Sequence, residues 1–258
     1  MTLFNAIGKT YNKTRVADYR IVSELIRLAD LGQGDHIIAD IGAGTGNYSI
    51  ALENTGFQIR AVEPSEAMLL QLERKTNIER IIGYAENIPL KTSSVDAVFS
   101  VLALPHFSDI EQVFIEMARV LKKGPIILFT FDPQIGKRTW MYNYFPFCWD
   151  KFSSLPTAEN TAKILRYCTN LSSQIIPFKL PADLKDHFAA AAWKTPHLYL
   201  NEDYRLNISS FRLANAEAVE NGVKHLAADL ENGRWEKSYG EVLKTDKIDA
   251  GYYFLLAK

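Results

Sequence analysis

The sequence DIGAGTG at residues 40–46 decides the fold of this chain. The apolar run 37–39 precedes it, and the helix-like segment 47–53 follows it. This order indicates a β-strand, a glycine turn and the start of an α-helix. The glycines let a ligand lie against bare backbone, and the helix N-terminus offers N–H groups and a positive dipole. The stretch therefore predicts a ligand site at the end of a strand.

A second predicted strand, residues 57–62, leads directly into Glu63. An acidic residue at that position can accept hydrogen bonds from both hydroxyls of a ribose. The glycine turn and Glu63 together predict a nucleoside-containing cofactor bound to an open α/β sheet. The dinucleotide fingerprint G-x-G-x-x-G would place its third glycine at Asn47, so its spacing fails here by one position.

The observed order D-x-G-x-G-x-G resembles motif I of the class I S-adenosylmethionine-dependent methyltransferases. Further blocks resemble that family in the same order along the chain, namely residues 61–65, 83–90, 94–100, 104–107 and 119–124. The resemblance extends over residues 11–133, roughly half the chain. It is strongest to methyltransferase type 11, the small-molecule group of the ubiquinone/menaquinone-biosynthesis type.

The resemblance implies S-adenosylmethionine as the cofactor and S-adenosylhomocysteine as the product. The ammonium and sulfonium of this cofactor make an aspartate beside the turn favourable. The implied cofactor-binding residues are Tyr11, Asp40, Gly42, Ala43, Gly44, Gly46, Glu63, Pro64, Met68, Ala85, Glu86, Asn87 and Leu102. Many relatives have Asp where this chain has Tyr84, so we expect adenine to contact backbone near Ala85 and apolar side chains instead. Arg15 lies in the same N-terminal segment as Tyr11, which in relatives folds over the cofactor.

Methyl transfer from a sulfonium is an in-line displacement with a neutral leaving group, so no metal ion or covalent enzyme intermediate is expected. Alignment of the reacting groups can supply on the order of 7–11 kcal/mol in ideal cases. His106 is a candidate base beside the methyl group; the alternative is a packed histidine that shapes the cofactor pocket. Asp132, which ends the fifth predicted strand, is a candidate for orienting the substrate.

Other candidates lie in the second half of the chain. His187, His197 and Tyr199 fall in a predicted insertion over the pocket. Aromatic residues crowd the segment 140–152. They either line a substrate pocket or pack the insertion onto the core.

Strands and helices alternate with short connections, which predicts a parallel, doubly wound sheet. With the plan of the resembled family, this gives a Rossmann-like α/β fold of seven strands, mostly parallel with an antiparallel last strand. The helix at 109–122 begins at an S-x-x-E pattern, Ser108 and Glu111, that predicts a capping box. We assign residues 1–180 and 250–258 to the cofactor-binding core and 181–249 to a mainly helical insertion that caps the pocket.

The composition limits the possible partners. The 258 residues are 47% hydrophobic, with a formal net charge of −1 and no long Lys/Arg run, so nucleic-acid binding lacks its usual electrostatic footprint. Cys148 and Cys168 form no C-x-x-C pair, which argues against a disulfide scaffold or structural zinc. No signal-peptide pattern and no apolar run of ~20 residues occurs, so a soluble cytoplasmic protein without a membrane span is expected. Oligomeric state is left open.

These observations predict S-adenosylmethionine-dependent methyl transfer to a small-molecule acceptor, through oxygen, carbon or nitrogen. Two alternatives stay open at this point. One is a nicotinamide-dependent oxidoreductase, which the glycine spacing disfavours. The other is a non-catalytic regulatory protein that keeps the cofactor-binding fold.

Overall fold

The computed structural model describes residues 15–258. Tyr11, an expected cofactor contact, lies outside the described residues. The strands are, in chain order, β1 (Ile37–Ile41), β2 (Gln58–Glu63), β3 (Ile78–Ile82), β4 (Ala97–Val101), β5 (Ile126–Phe131), β6 (Ser173–Pro177), β7 (Leu180–Pro181), β8 (Lys247–Ile248) and β9 (Tyr252–Ala257). Seven of them form one sheet in the order β3-β2-β1-β4-β5-β9-β6, and β7 pairs with β8.

The helices connect these strands and also fill the region between β7 and β8. The α-helices are α1 (Tyr19–Ala29), α2 (Asn47–Glu53), α3 (Glu66–Leu69), α4 (Ile110–Val120), α5 (Pro133–Gly136), α6 (Phe147–Asp150), α7 (Ala158–Thr169), α8 (Glu202–Leu206), α9 (Ser209–Arg212), α10 (Ala216–Glu231) and α11 (Arg234–Tyr239). Short 3-10 helices cover Leu104–His106, Trp140–Asn143, Pro196–Leu200 and Gly240–Lys244.

The sheet has the predicted direction pattern. Strands β1 to β5 pair in parallel, whereas β9 runs antiparallel to both β5 and β6. The Rossmann-like α/β fold with an antiparallel last strand is therefore confirmed. Because the carboxyl ends of β1, β2, β4 and β5 lie on one edge, the loops that follow them meet there.

Both faces of the sheet are covered, which explains why its strands read as nearly continuous apolar runs. On one face, Ile38, Phe99 and Phe129 belong to a buried cluster shared with α1 and with the segment between β7 and β8. On the other, Val98 and Leu128 pack with residues of α4 and α7. Alternate residues of one strand thus supply two separate cores.

The capping box predicted for one helix start was wrong. Ser65 caps α3, since its side chain accepts the Met68 N–H at 3.3 Å. Helix α4, however, is capped by Asp109, whose carboxylate accepts the Gln112 N–H at 3.0 Å. The predicted capping serine, Ser108, instead donates its hydroxyl to Glu86 at 2.7 Å. The charged acceptor of Glu86 takes the hydroxyl, and the next carboxylate along the chain takes over the cap.

The aromatic segment 140–152 divides between the two uses left open. The Trp140 indole donates to the Trp193 carbonyl at 2.9 Å, and its ring packs against Tyr199 and Trp235. This part of the segment packs the region between β7 and β8 onto the sheet.

The division of the chain at residues 181 and 249 stays a prediction. Within residues 15–258, no helix is long and apolar enough to cross a membrane.

Candidate active site

A cavity of about 370 Å³ lies at the carboxyl edge of the sheet, beyond β1, β2 and β4. Its size falls within the range of about 300–1,000 Å³ usual for small-molecule sites. Ten of the predicted cofactor-binding and catalytic residues line it: Gly42, Ala43, Gly44, Glu63, Pro64, Met68, Ala85, Glu86, Leu102 and His106. We call this space the cofactor cavity.

Gly42 is required by close packing as well as by backbone conformation, whereas Gly44 is required by backbone conformation alone. Gly42 has a φ of +76°, and a Cβ there would lie 2.4 Å from the Cβ of Ala103. Gly44 also has a positive φ, +58°, but the nearest atom to its Cβ position is Met68 Cε, 3.6 Å away. Gly42 therefore lets the loop after β4 approach the turn, while Gly44 leaves space beside the cavity wall.

The N–H groups of the turn are used within the protein. Gly42 and Ala43 both donate to the Val62 carbonyl, at 2.9 and 3.1 Å. Gly44 donates to Glu63 Oε2 at 3.1 Å. The sequence predicted that this backbone would face a ligand, but these three N–H groups tie the turn to the end of β2. These hydrogen bonds hold the cavity wall in place and do not leave the three N–H groups to a ligand.

Glu63 is held in a defined orientation at that wall. Its Oε1 accepts the Ser65 N–H at 3.0 Å, its Oε2 accepts the Gly44 N–H, and the residue is 6% exposed. Burial raises the pKa of Glu63, and the two backbone hydrogen bonds oppose that shift. Each carboxylate oxygen has capacity for a second hydrogen bond. The group is thus pre-positioned to accept two hydroxyl donors.

Asp40 lies behind the turn and does not line the cavity. Its carboxylate accepts the Ser49 hydroxyl at 2.6 Å, which joins the end of β1 to α2. Burial raises the pKa of Asp40 to about 6; the Ser49 hydrogen bond opposes this and the nearby charge of Glu63 adds to it. Gly46 and Asn87, two other expected cofactor contacts, also lie outside the lining.

The loop after β3 closes the opposite side of the cavity. Glu86 accepts the backbone N–H of Ser108 at 2.8 Å as well as its hydroxyl. Burial would raise the pKa of Glu86, but these hydrogen bonds outweigh it and lower the pKa. Gln112 donates to the Glu86 carbonyl at 3.2 Å. The loop that carries Tyr84 and Ala85 is therefore anchored to the start of α4.

A second, smaller space of about 60 Å³ adjoins the cofactor cavity, and we call it the acceptor chamber. Four residues line both spaces: Arg15, Leu102, His106 and Ser209. The other residues that line the chamber are mostly apolar, namely Pro105, Phe131, Cys148, Trp149, Phe152, Phe188, Ala189, Ile208, Ser210 and Tyr252. Trp149 and Phe152 belong to the aromatic segment, so part of that segment lines this space.

His106 lies where the two spaces meet. It ends the 3-10 helix Leu104–His106, and its ring meets that of Phe152 edge-on at 6.1 Å. The residue is exposed and borders both cavities. Partial desolvation, with the nearby cations of Lys151 and Arg15, lowers the pKa of His106. The imidazole is thus neutral at pH 7 and can both donate and accept one hydrogen bond.

Leu102 reaches the same junction through an uncommon backbone conformation. Its φ of +56° places a branched side chain in the left-handed region, which such residues rarely adopt. Its N–H donates to the Phe129 carbonyl at 2.7 Å, so the conformation is held by the sheet. Strained residues of this kind are found preferentially at functional sites.

A buried ion pair, which the sequence did not reveal, forms part of the wall of the cofactor cavity. The Arg15 guanidinium contacts both carboxylate oxygens of Asp186, and the Tyr48 hydroxyl donates to Asp186 at 3.0 Å. All three residues line the cofactor cavity. Arg15 was named from the sequence, but Asp186 and Tyr48 were not, because their partners are distant in sequence and no local pattern connects them.

Asp132 lies outside both spaces. Its Oδ1 accepts the Gln134 N–H at 2.8 Å and its Oδ2 accepts the Ala158 N–H at 2.9 Å, so it caps α5 and anchors the start of α7. With only 3% exposure, this carboxylate is a structural cap rather than a substrate contact.

Three further candidates also lie outside both spaces. His187, His197 and Tyr199 line neither of them. Among residues 15–258, no group of three or more His, Cys, Asp or Glu could hold a metal ion.

Comparison with known proteins relates this site to methyl transfer. The family model described as a methyltransferase domain matches residues 39–129, which include β1, the glycine turn, Glu63 and the loops around the cavity. A crystal structure from Anabaena variabilis, assigned as a methyltransferase from an antibiotic biosynthesis pathway, is 46% identical. It aligns with 96% of this chain and 100% of its own, with a TM-score of 0.92.

Two curated relatives are similar over part of the chain. A malonyl-[acyl-carrier protein] O-methyltransferase of Xylella fastidiosa is 31% identical over 134 residues, 48% of this chain and 45% of that protein. A ubiquinone/menaquinone biosynthesis C-methyltransferase of Campylobacter jejuni is 28% identical over 147 residues, 49% of this chain and 60% of that protein. The chain thus spans about half the length of these two relatives.

Proposed function

Because this chain belongs to the class I S-adenosylmethionine-dependent methyltransferases, we propose that it methylates a small molecule held in the acceptor chamber. The chain is an enzyme of methyl transfer, and its cofactor is S-adenosylmethionine. When bound, this cofactor supplies an electrophilic methyl group on a sulfonium and yields S-adenosylhomocysteine. The identity of the acceptor and the roles of individual residues belong to the proposal.

One observation carries the proposal: the cofactor cavity ends in a separate, apolar chamber, and Leu102 and His106 border both. An in-line displacement needs the nucleophile and the leaving group on opposite sides of the methyl carbon. Two adjoining spaces with a shared junction meet that requirement. The chamber's apolar lining also excludes water, which would otherwise compete with the acceptor.

The residues of the cofactor cavity fit S-adenosylmethionine. Glu63 has two carboxylate oxygens aimed by backbone hydrogen bonds, as two ribose hydroxyls require. Gly44 leaves room at the cavity wall, which a long side chain at this position would fill. Met68, which is 5% exposed, and the backbone at Ala85 provide an apolar slot for a base. We assign Glu63 to the ribose, and Ala85 and Met68 to adenine.

We assign the positioning of the acceptor to residues at the border between the cofactor cavity and the acceptor chamber. His106 is neutral at pH 7 and can hold the acceptor through one hydrogen bond, although its low pKa makes it a weak base. Ser209, on α9, brings a hydroxyl from the segment between β7 and β8. We therefore propose that residues 181–249 close the acceptor chamber over the core.

The two curated relatives support methyl transfer but do not identify the acceptor. The names of the two curated relatives describe an O-methyltransferase and a C-methyltransferase, and each match covers less than half of this chain. They support methyl transfer and leave the acceptor atom open. Neither alternative from the sequence, the nicotinamide enzyme or the non-catalytic protein, gains support from the fold or from the relatives. The cytoplasmic location stays a prediction.

The experiment that tests the proposal is an acceptor screen with methyl-labelled S-adenosylmethionine. Product formation should depend on protein and acceptor together and should yield S-adenosylhomocysteine in equal amount. The Gly44→Arg variant, whose long side chain fills the cavity, is the matched inactive control. Cofactor binding without label transfer to any acceptor class would contradict the proposal and favour the non-catalytic alternative.

A further inference from the structure

The acceptor chamber is small for a substrate site. Its volume of about 60 Å³ is well below the about 150 Å³ of an engineered protein cavity that holds one benzene molecule. The adjoining cofactor cavity gives no further room, because S-adenosylmethionine occupies it during the reaction. An acceptor of more than a few non-hydrogen atoms therefore needs additional space beside the chamber.

Such a space lies on the outer side of the segment between β4 and α4. It is an open recess of about 540 Å³, which we call the outer recess. Its walls come from that segment, from α4, from the turn between α6 and α7, and from α7. Of the described residues that line it, Pro105 and Phe152 also line the acceptor chamber. Two side chains thus separate the chamber from the outer recess.

Phe152 supplies the larger side chain of this wall. The ring of Pro105 is part of the backbone of a 3-10 helix, so it cannot turn aside. Phe152 lies on the turn between α6 and α7 and is 8% exposed. Its ring meets His106 edge-on at 6.1 Å and Phe131 edge-on at 5.6 Å. These contacts hold the ring between the chamber and the outer recess, next to the border with the cofactor cavity.

On the basis of the proposed function, we infer that Phe152 determines the size of the acceptor. With its ring in place, the chamber takes only a short, slim reacting molecule, and a longer one is stopped at the ring. Without the ring, the chamber and the outer recess form one continuous space. This limit on size applies to oxygen, nitrogen and carbon acceptors alike.

Cys148 provides a probe for molecules that enter the chamber. It lines the chamber, is 2% exposed, and its thiol accepts the Ser210 hydroxyl at 3.3 Å. Cys168, on α7, is partly exposed and lines neither the chamber nor the outer recess, so it serves as an internal reference. An alkyl methanethiosulfonate transfers its alkylthio group to a thiolate and releases methanesulfinate. The length of the alkyl group can therefore be varied with the chemistry unchanged.

The native protein and its variants are saturated with S-adenosylhomocysteine, which fills the cofactor side, and are treated with methyl or hexyl methanethiosulfonate. Peptide mass spectrometry gives the rate at each cysteine. In the native protein, the hexyl-to-methyl rate ratio should be at least about tenfold lower at Cys148 than at Cys168. Burial raises the pKa of the Cys148 thiol, but this slows both reagents equally and cancels in the ratio. Phe152→Ala should raise the ratio at Cys148 at least about tenfold and leave Cys168 unchanged.

Phe188→Ala is the matched control. Phe188 is another buried ring of the chamber, 4% exposed, but it does not line the outer recess. Its removal enlarges the chamber without joining it to the outer recess, so the ratio at Cys148 should rise far less than in Phe152→Ala. Phe152→Leu keeps an apolar side chain in the turn and should give an intermediate ratio, which decides the matter if Phe152→Ala does not fold. Equal ratios in the Phe152 and Phe188 variants would contradict the role of Phe152.

Turnover gives the second readout. For an acceptor found with labelled S-adenosylmethionine, kcat/KM of its hexyl-extended analogue relative to the short acceptor should rise at least about tenfold in Phe152→Ala. If S-adenosylhomocysteine does not bind, or no acceptor is methylated, the proposed function is wrong. If both occur but Phe152→Ala changes neither the ratio at Cys148 nor the kcat/KM ratio, only the role of Phe152 is overturned. A change at Cys148 without a change in kcat/KM also overturns it.

Discussion

The carboxylate of Asp186 pairs with the guanidinium of Arg15 across 171 residues of chain and accepts the Tyr48 hydroxyl as well. The two side chains are 10% and 2% exposed, so the pair is desolvated. It joins the segment before α1, the helix α2 and the segment between β7 and β8 at one wall of the cofactor cavity. The cavity is therefore complete only when distant parts of the chain have docked.

Asp186→Asn should destabilise the protein and weaken cofactor binding, because it leaves the Arg15 charge buried beside a neutral amide. Breaking a buried pair from one side costs about 3–5 kcal/mol. Urea unfolding, followed by tryptophan fluorescence, measures this loss of unfolding free energy directly.

The matched control is Asp183→Asn, three residues away. Asp183 pairs with Arg20 but is 71% exposed, so its loss should hardly change the unfolding free energy. Similar destabilisation by the two variants would mean that the buried pair has no special role.

Local patterns predicted much of the site. Spacing within a few residues identified the glycine turn and Glu63, because each depends on neighbours in the same strand–turn–helix unit. The second strand was predicted within one residue of its observed bounds, since a strand buried on both faces is a short apolar run with clear ends.

Contacts between distant segments could not be predicted in this way. Asp186 and Ser209 reach the site from the region between β7 and β8, where no local motif indicates a cavity. Asp132 illustrates the opposite error. It follows β5 at the correct edge of the sheet, but two backbone N–H groups occupy its carboxylate. Position at a strand end indicates proximity to the site, whereas the hydrogen-bond partners decide the role.

Gly42→Ala should destabilise the turn for two separable reasons. The new Cβ would lie 2.4 Å from the Cβ of Ala103, and the φ of +76° is unfavourable for alanine. Overpacking costs about 1–3 kcal/mol and the left-handed backbone about 1–2 kcal/mol. Adding Ala103→Gly should recover the first part only, as measured by thermal unfolding.

The control for the packing effect is Gly44→Ala, which has a similar positive φ but no atom closer than 3.6 Å. It should cost about as much as the double variant Gly42→Ala/Ala103→Gly. If the double variant is no more stable than Gly42→Ala alone, the contact with Ala103 does not explain the glycine.

Glu63→Ala should weaken binding of S-adenosylhomocysteine by removing one or two charged hydrogen bonds, each worth about 1.5–3 kcal/mol. Isothermal calorimetry should then show a dissociation constant at least about tenfold higher. Glu86→Gln is a suitable comparison, because that carboxylate also borders the cavity but already accepts two hydrogen bonds from Ser108. A larger loss in Glu86→Gln than in Glu63→Ala would reverse the assignment of the ribose contact.

Asp40 predicts a specific pH dependence of stability. Its pKa is raised by burial to about 6, from 3.8 in an exposed aspartate. Between these values the folded protein binds a proton that the unfolded chain has released. The contribution of this group to stability is therefore full below pH 3.8 and is lost as the pH rises through 6.

Asp40→Asn removes that pH dependence and keeps an oxygen that can accept the Ser49 hydroxyl. The unfolding free energy of the variant minus that of the native protein should become more positive from pH 4 to pH 7. Two pKa units correspond to about 3 kcal/mol, which is the upper limit of the gain. Urea titrations at matched pH values measure this difference, in which the contributions of all other groups largely cancel. A difference that stays flat, or falls as the pH rises, would show that the buried carboxylate is ionised at no cost in stability.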